Sequence, residues 1–222
     1  MNAREAVFAN IRRSLGVTGE EAPRRFEVEA RLAKAPVGVA PKRGQGDLDG
    51  RLQTFKAEAE RAQATVEAVA SLDEVPEAVA RFLRDNNCPA TLRMGADARL
   101  AAMPWGSTAL EIVHGPSDGH DLNAIVIAFA GIAETGTLAL VSGPDNPTTL
   151  NFLPDNEIVV LKKDEIVADY EAVFAKLRGT YGKGGVPRTL NFVTGPSRSA
   201  DIEQTLLLGA HGPRRLHIMI VG

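Results

Sequence analysis

The sequence predicts an α/β fold, in which an open sheet carries helices on both faces and is preceded by an N-terminal helix and an arm. Two observations predict this class. Beyond residue 51, short aliphatic runs alternate with segments of helical periodicity. A chain of 222 residues with 44% hydrophobic residues can also bury one sizeable core. We therefore predict an N-terminal helix and extended arm over residues 1–50 and one domain over residues 51–222.

The first fifty residues contain one periodic segment. Residues 3–15 place apolar side chains at roughly helical spacing, and Gly16 follows as a C-terminal stop, so we predict a short amphipathic helix. Residues 18–50 scatter proline, glycine and charge without a clear period, which is typical of a linker or arm. Such an arm can cover a neighbouring subunit or lie free in solution, and composition does not choose between these.

Regular patterns begin at Leu52. Apolar side chains from Leu52 to Val69 fit one helical face, and a second helix is predicted over residues 73–86. The remaining elements alternate. Strands are predicted at 91–94, 109–113, 124–130, 138–142, 158–162, 190–194 and 216–221, and helices at 165–178 and 200–208.

Charge and cysteine content exclude several classes of function. A net charge of -3 and a pI near 5.9 argue against a general nucleic-acid or anionic-membrane surface, because both need a basic field. The single cysteine, Cys88, excludes an internal disulfide and cannot supply the four thiolates of a typical iron–sulfur cluster. We expect no cofactor on this chain, and any redox centre would lie on a partner protein.

Neither a targeting segment nor a membrane span is predicted. Residues 1–16 carry three arginines and no apolar stretch of signal-peptide length. The longest apolar run, residues 124–133, is about half of the roughly 20 residues that a membrane-spanning helix needs. We therefore expect a cytoplasmic protein that does not insert into a membrane.

Three predicted strands end in a Gly-Pro turn followed by small polar residues. These turns begin at Gly115, Gly143 and Gly195. Ligands of open α/β sheets bind beyond the carboxyl ends of the strands, where loops offer free N–H groups. If the strands run parallel, the loops share one rim and can form one site. Gly-Pro is, however, also a common strand exit without any function.

The third of these loops carries the most chemistry. Its candidate ligand-binding residues are Gly195, Ser197, Arg198, Ser199 and Asp201, at the start of a predicted helix. Unpaired N–H groups and the helix dipole there would join the guanidinium in favouring a carboxylate or phosphate. In the alternative interpretation, Ser199 caps the helix and Asp201 complements its dipole, which leaves Arg198 without a function.

Histidines supply two further candidates. His211 follows the predicted helix in a loop and can act as an acid or base if it lies beside a site, although a lone loop histidine is more often a turn residue. Residue types suited to a metal occur at His114, Asp118, His120 and Asp121, but they match no ligand spacing. No metal site is predicted.

Three ordered motifs indicate a family. Residues 131–138 read Gly-Ile-Ala-Glu-Thr-Gly-Thr-Leu, residues 194–203 read Thr-Gly-Pro-Ser-Arg-Ser-Ala-Asp-Ile-Glu, and residues 209–213 read Gly-Ala-His-Gly-Pro. With these motifs the chain closely resembles the lactate-utilisation protein C family, whose members carry a LUD domain. The resemblance implies a fold like that of ribose-phosphate isomerase, glucosamine-phosphate deaminase and the CoA transferases. It also implies a role in oxidising L-lactate to pyruvate with two partner proteins, at least one of them an iron–sulfur protein.

The resemblance suggests a use for Glu134, which interrupts an aliphatic run. CoA transferases of the same broad fold use a glutamate on a Glu-x-Gly turn as a nucleophile, and Glu134-Thr135-Gly136 looks similar. We do not transfer that role, because the chain has no glycine-rich CoA-binding segment and the likeness is one of fold. We predict Glu134 as a base, ligand orienter or acceptor of backbone N–H groups, with Thr135, Gly136 and Thr137 at the ligand and His211 as the second catalytic candidate.

Two positions depart from the family pattern. Thr148 stands where the family has an arginine, and Glu157 stands where it has a histidine. If those residues bind an anion in relatives, this protein binds a different ligand or binds it more weakly.

Three functions remain open from the sequence. The first is a subunit of a lactate-oxidising system that binds a small anionic ligand and works with iron–sulfur partners. The second is a free-standing isomerase or transferase that uses Glu134, and the third is a non-catalytic regulatory module. In each case we expect Glu134 and Arg198 to face one cleft. The sequence does not decide the ligand, the electron acceptor, or whether the chain forms a homo-oligomer.

Overall fold

The computed structural model describes residues 2–34, 36–182, 184–200 and 206–222, and the backbone alone at residues 200, 206 and 207. The chain divides into two compact units, residues 1–39 and residues 40–222. The boundary predicted at residue 50 remains a prediction about the family domain. No helix in the described part of the chain is long and apolar enough to cross a membrane.

The first unit contains two helices, α1 (Ala3–Leu15) and α2 (Ala22–Lys34). The predicted helix at 3–15 is confirmed. Asn2 and Glu5 form a capping box at its start, and Gly16 ends it at φ 63°, where glycine is favoured. The prediction of an arm without regular structure is wrong over 22–34. Neither helix contains a buried residue. A helix that packs against no core needs no apolar face, so the sequence of α2 lacks the periodic signal that predicts a helix.

The second unit contains four helices and twelve strands among its described residues. The helices are α3 (Leu48–Arg61), α4 (Val75–Asp85), α5 (Ala98–Ala101) and α6 (Tyr170–Tyr181). The strands are β1 (Thr65–Val69), β2 (Thr91–Met94), β3 (Glu111–His114), β4 (Asn123–Ile127), β5 (Ala130–Ile132), β6 (Thr137–Ser142), β7 (Asn156–Lys162), β8 (Ile166–Val167), β9 (Thr189–Val193), β10 (Arg198–Ala200), β11 (Leu206–Leu208) and β12 (Arg215–Val221). Single 3-10 turns lie at Lys42–Gly44, Leu72–Glu74, Trp105–Ser107, Thr148–Asn151 and Lys163–Glu165.

The strands form one large parallel sheet and two smaller sheets. The large sheet has the order β1-β12-β7-β4-β2-β3, and all of its neighbours run parallel. A four-stranded sheet has the order β8-β5-β6-β9, in which β6 runs antiparallel to both of its neighbours. Strands β10 and β11 form an antiparallel pair. The predicted α/β class is confirmed.

The core consists of two apolar layers, one on each face of the large sheet. On one face, alternate residues of the central strands pack against Phe55 and Ala59 of α3 and against Leu138 and Leu140 of β6. On the other face, the intervening residues pack against α4 and α5. Each aliphatic side chain that is fully buried in this way contributes about 1.5 to 3 kcal/mol. The four-stranded sheet therefore lies with α3 over one face of the large sheet, and this arrangement positions the site.

Two segments that were predicted as helical contain strands. The helix predicted to continue to Val69 ends at Arg61, because Gln63 adopts φ 71° and reverses the chain into β1. Val66 and Val69 fit a helical face by spacing, but the β-branched segment pairs with β12 instead. The helix predicted over 200–208 is also wrong, since Arg198–Ala200 pairs with Leu206–Leu208 in the β10-β11 pair.

Candidate functional site

The glycines of the 131–138 motif allow helix α3 to approach the β5-β6 turn closely. Gly136 adopts φ 63°, and a Cβ atom there would lie 2.2 Å from the backbone nitrogen of Ala59 in α3. A Cβ atom on Gly131 would lie 2.7 Å from the side chain of Leu161. Both distances are too short for real contacts. Gly136, predicted as a ligand residue, therefore has a packing role that is sufficient to explain it.

Four hydroxyl groups tie this turn to its surroundings. The Oγ1 atom of Thr137 lies 2.6 Å from that of Thr194, 2.7 Å from that of Thr135 and 3.3 Å from the Tyr170 hydroxyl. Thr137 is fully buried, so these contacts satisfy a hydroxyl that would otherwise lose its hydrogen bonds to water. The two threonines predicted at the ligand, Thr135 and Thr137, thus connect the turn to the start of α6 and the end of β9.

Glu134 lies in the same turn, and its carboxylate has no bonding partner among the described residues. Its backbone N–H donates to the carbonyl of Ala168 at 3.1 Å, which fixes the main chain. The side chain is half-buried and makes no hydrogen bond or ion pair within the described part of the chain. The carboxylate is therefore available to a ligand, and the turn is held without it.

Ser197 organises the loop that follows β9. Its N–H donates to the carbonyl of Pro213 at 2.8 Å, its carbonyl accepts from Gly209 at 3.0 Å, and its Oγ accepts from the backbone N–H of His211 at 3.2 Å. Gly195 enters this loop at φ 70°, where a Cβ atom would lie 2.1 Å from the carbonyl oxygen of Ala62. Ser197 and Gly195 therefore shape the loop and hold it against the end of α3.

The two predicted motifs are neighbours in the structure. Antiparallel pairing of β6 and β9 sets Leu138 opposite Val193, and the next residues, Thr137 and Thr194, form the hydroxyl contact described above. The turn with Glu134 thus borders the loop with Arg198. The backbone pairing brings the turn of Glu134 close to the loop of Arg198. That the two side chains face one common cleft remains a prediction.

The three Gly-Pro loops do not share one rim, which corrects the expectation drawn from parallel strands. Because β6 and β9 are antiparallel, Ser142 lies opposite Thr189, so the loop at Gly143 leaves the sheet at the opposite end from the loop at Gly195. The Gly143 loop instead reaches the end of β2, where Ala96 donates to the carbonyl of Asp145 at 2.8 Å.

A helix N-terminus does not contribute to anion binding at Ser199. Ser199 lies in β10 and pairs with β11, so its backbone belongs to a strand ladder rather than to the first turn of a helix. The predicted contribution of a helix dipole is therefore wrong. Asp201, the last predicted ligand residue, lies outside the described residues.

Arg198 lines a cleft of about 380 Å³ at the amino ends of β1 and β12, which we call the arginine cleft. Its polar wall includes Thr65, Asn86, Arg198, Arg214, Arg215 and His217. Arg214 lies 3.6 Å from a carboxylate oxygen of Asp155, and Arg215 donates to the side-chain oxygen of Asn156 at 3.1 Å. Arg198 is exposed and forms no ion pair with any described residue. Three guanidinium groups, one of them unpaired within the described ranges, make this cleft suitable for a small anion.

Sequence reasoning found one of these arginines. Arg214 and Arg215 directly precede the last predicted strand, and a basic pair at the entrance of a buried strand was a usable signal. Thr65 lay within the segment predicted as a helix, and His217 lay within the predicted strand at 216–221. Their meeting depends on the pairing of β1 with β12, which sequence spacing does not reveal.

His217 is buried in the wall of the arginine cleft. Its ring stacks on Phe82 with centroids 4.1 Å apart, and its Nδ1 atom lies 2.7 Å from the Thr65 hydroxyl. Burial lowers the pKa of His217 to about 4, an effect that the nearby carboxylate of Glu67 opposes and the guanidinium of Arg81 reinforces. The imidazole is therefore neutral near neutral pH.

The other candidates lie apart from this network or have structural partners. His211 is exposed, and its ring forms no hydrogen bond to any described residue. Thr148 contacts the hydroxyl of Thr189 at 3.2 Å. Asp121 pairs with Arg93 at 2.8 Å, and no group of three or more His, Cys, Asp or Glu side chains within the described ranges is arranged to hold a metal.

Glu157 is a buried carboxyl group without a partner. It lies in β7, fully buried, and neither side-chain oxygen has a hydrogen-bond partner among the described residues. Burial raises the pKa of Glu157 well above its ordinary value, which favours the neutral acid.

Comparison with known proteins gives the relatives of this chain. The family model of the LUD domain matches residues 121–221. Lactate utilization protein C from Geobacillus kaustophilus is 40% identical over 98 residues, which are 43% of this chain and 41% of the relative. The protein of that name from Halalkalibacterium halodurans is 33% identical over 118 residues, 53% of this chain and 51% of the relative. The matches thus span about half the length of these curated relatives.

A solved structure supports the fold independently. The crystal structure of a DUF162 family protein from Deinococcus radiodurans aligns with a TM-score of 0.56 and 24% identity, covering 80% of this chain and 100% of that one. At this identity the likeness concerns the fold alone. The matched region contains the Glu134 turn, the Ser197 loop and the arginines of β12. The motifs, the fold and the relatives thus agree in relating residues 121–221 to the LUD domain family.

Proposed function

We propose that this protein is a component of a lactate-utilisation system and supports the oxidation of L-lactate to pyruvate together with iron–sulfur partner proteins. The observation that carries the proposal is the similarity of this chain to proteins named lactate utilization protein C, 40% identical over 98 residues in one relative. The single cysteine supports the partner requirement, because the described chain offers no thiolate set for a cluster that would accept electrons.

Growth and co-purification test this proposal. A strain that lacks the gene is expected to grow on glucose but poorly on L-lactate, and a copy of the gene is expected to restore growth. The tagged protein is expected to retain cysteine-rich proteins that carry iron–sulfur absorbance. Normal growth on L-lactate together with purification free of such partners would contradict the assignment.

Within that function, we propose that the arginine cleft binds a small carboxylate or phosphate. Carboxylates form charge-assisted hydrogen bonds with guanidinium groups, and such bonds are worth about 1.5 to 3 kcal/mol each. Arg198 supports the proposal because it lines the cleft without an ion pair to any described residue. Glu134 is not among the residues that line the arginine cleft, so a cleft shared by Glu134 and Arg198 remains a prediction.

Replacement of Arg198 tests the cleft. Arg198→Ala is expected to weaken binding of L-lactate or phosphate by roughly ten- to a hundredfold, while Arg198→Lys recovers part of it because lysine lacks the planar fork. The matched control is Arg24→Ala, which removes an exposed arginine from the first unit. Equal affinities in all four proteins, measured by calorimetry at low salt, would contradict the cleft assignment.

The unpaired carboxylate of Glu134 favours one second candidate, a free-standing isomerase- or transferase-type enzyme. A half-buried carboxylate in a turn that does not need it for structure can act as a general base. This candidate predicts turnover of sugar phosphates or acyl-CoA by the isolated chain and loss of that turnover in Glu134→Gln. The lactate-system proposal predicts that the isolated chain turns over neither compound.

A further inference from the structure

Two polar side chains in the interior of the second unit have no hydrogen-bond partner among the described residues. Glu157 of β7 and Asn151 of the 3-10 turn at Thr148–Asn151 are both fully buried. The unpaired atoms are both carboxyl oxygens of Glu157 and both the oxygen and the nitrogen of the Asn151 amide. Buried polar atoms are nearly always paired in native proteins, and each one left unpaired disfavours folding. These four atoms therefore call for a partner that no described residue supplies.

Strand pairing sets the two side chains against one part of the core. Across the large sheet, Glu157 lies between Ala124 of β4 and Leu216 of β12. Both neighbours belong to the apolar layer that packs against α3, and so does Leu150, which directly precedes Asn151. The turn that carries Asn151 packs against β4. Because the side chain of Ala124 is a single methyl group, space beside the Glu157 carboxyl group lies on the β4 side, from which Asn151 enters.

Main-chain hydrogen bonds fix the segment that joins these two side chains. The N–H of Leu153 donates to the carbonyl of Thr149 at 3.0 Å, which closes the turn. The N–H of Asn156 donates to the carbonyl of Leu122 at 2.9 Å, which ties the start of β7 to the residue before β4. The backbone on both sides of the pair is thus held in the folded chain, and ligands held in this way lose little freedom when they bind.

The four unpaired atoms suit a cation of single charge. Three of them are oxygens, which are the ligands that hard cations take in proteins. A carboxylate in apolar surroundings needs a balancing charge, because an isolated ion there is strongly disfavoured. Glu157 supplies one negative charge, so a divalent ion would leave a positive charge uncompensated. Calcium sites usually collect several carboxylates, and no group of three or more His, Cys, Asp or Glu side chains is arranged in this way within the described ranges.

We propose that Glu157 and Asn151 form an internal binding site for a monovalent cation, Na⁺ or K⁺. The Glu157 carboxylate neutralises the ion, and the amide oxygen of Asn151 supplies a further ligand. The ion thereby pairs three of the four atoms and stabilises the junction between β7 and the turn that precedes it. Neither residue lines the arginine cleft, so this inference depends neither on anion binding there nor on the lactate role.

Thermal denaturation of the full-length protein in different chloride salts tests the site. NaCl and KCl are compared at one ionic strength with choline chloride, whose cation is too large for an interior site. An ion that binds only the folded state raises the melting temperature. At about ten times its dissociation constant, the rise is expected to be about 3 to 6 °C for a chain of this size. Equal melting temperatures in all three salts would overturn the proposal.

Substitutions at both positions separate a specific site from a general salt effect. Glu157→Gln keeps the size of the side chain but removes its charge, and it is expected to lose the rise in NaCl and KCl. The matched control is Glu77→Gln, at an exposed acid of α4, which is expected to keep the rise. Asn151→Asp adds a second carboxylate and is expected to respond to CaCl₂ instead of NaCl and KCl. The same rise in Glu157→Gln as in the control would overturn the site, and an unchanged ion preference in Asn151→Asp would overturn the role of Asn151.

The same salts distinguish a cation site from a buried acid that stays unpaired. In choline chloride, Glu157→Met is expected to be more stable than the wild-type protein, because it removes an unpaired polar group from the core. In NaCl or KCl this difference is expected to narrow or reverse, since only the wild-type protein binds the ion. A difference that is the same in all three salts would overturn the cation site and leave Glu157 as a neutral acid.

Discussion

At the scale of single residues, burial fixes the protonation state of Glu157 and His217 in opposite ways. Burial raises the pKa of Glu157 and lowers that of His217, so it favours the neutral form of both groups in the folded protein. Such groups couple protonation to folding, because the unfolded chain gives each its ordinary pKa. The two residues therefore affect stability over different ranges of pH and with opposite sign.

Glu157 is expected to destabilise the protein as pH rises. Its folded pKa lies well above the ordinary value of 4.5, so the folded state binds more protons, and the free energy of unfolding falls as pH rises from about 4.5 toward that folded pKa. Glu157→Met removes this dependence and is expected to stabilise the protein by about 1 to 3 kcal/mol at neutral pH. Urea denaturation at several pH values checks this, with Glu77→Met as the exposed control. A destabilised Glu157→Met protein at neutral pH would show that the acid has a partner.

His217 is expected to destabilise the protein as pH falls. Its pKa is lowered to about 4 from 6.5, so the unfolded state takes up a proton first and stability is lost between about pH 6.5 and pH 4. The loss is on the order of 3 kcal/mol, because each pKa unit corresponds to about 1.4 kcal/mol. His217→Gln should lack this slope, whereas His211→Gln, at an exposed turn, should keep it. Identical acid slopes in the two variants would contradict the assignment.

At the scale of elements, the contact of α3 with the β5-β6 turn explains the spacing of the family motif. Gly131 of the motif lies against the side chains of Leu161 and Phe55, and Gly136 lies against the backbone of α3. Because Gly136 has no side chain, the turn and the helix can approach each other closely. The hydroxyl contacts of Thr137 then connect the turn to α6 and β9. One short motif thus holds four elements in place around the Ser197 loop.

Gly136→Ala is expected to break this contact. The added methyl group would meet the backbone of Ala59 at 2.2 Å, and the residue would remain at φ 63°, so we expect a loss of more than about 3 kcal/mol. Gly143→Ala is the control, because nothing lies within 4 Å of its Cβ position. It is expected to change stability by less than about 0.5 kcal/mol. Equal melting temperatures for both variants would mean that α3 and the turn separate readily.

At the scale of the whole molecule, the core belongs to the second unit. The first buried hydrophobic residue in the described part of the chain is Phe55, and neither α1 nor α2 contributes one. Exposed apolar side chains do occur on both helices, at Phe8, Ile11, Phe26 and Leu32. A unit without buried residues does not fold by its own core, since its stability comes from local caps and helix propensity.

Removal of residues 1–39 is therefore expected to leave the second unit folded. The truncated protein should unfold cooperatively with a melting temperature within about 3 °C of the full-length chain, since a change of 1 kcal/mol shifts a domain of this size by about 2 to 4 °C. Circular dichroism should show a loss of helical signal only. A lower melting temperature or loss of cooperativity would mean that the first unit stabilises the second.

The sequence by itself determined the α/β class, the first helix, most strands of the large sheet and the family motifs. These features depend on periodicity and on local residue preference, and both are properties of residues that are close together in the sequence. Arg198 was among the candidate ligand residues. Sequence reasoning failed at residues 65–69, where spacing fitted a helix, and at residues 200 and 206–208, where a helix was expected in place of the β10-β11 pair.

Only the tertiary structure decided which chemistry the arginine cleft contains. Thr65 and His217 are 152 residues apart in sequence and meet because β1 lies beside β12, an arrangement set by the packing of whole strands and helices. The antiparallel pairing of β6 with β9 likewise separated the Gly143 loop from the Gly195 loop. The burial of Glu157 in β7, with no hydrogen-bond partner among the described residues, was also invisible to local patterns. Pairing partners between distant strands are chosen by the core they bury together, and no local segment encodes that choice.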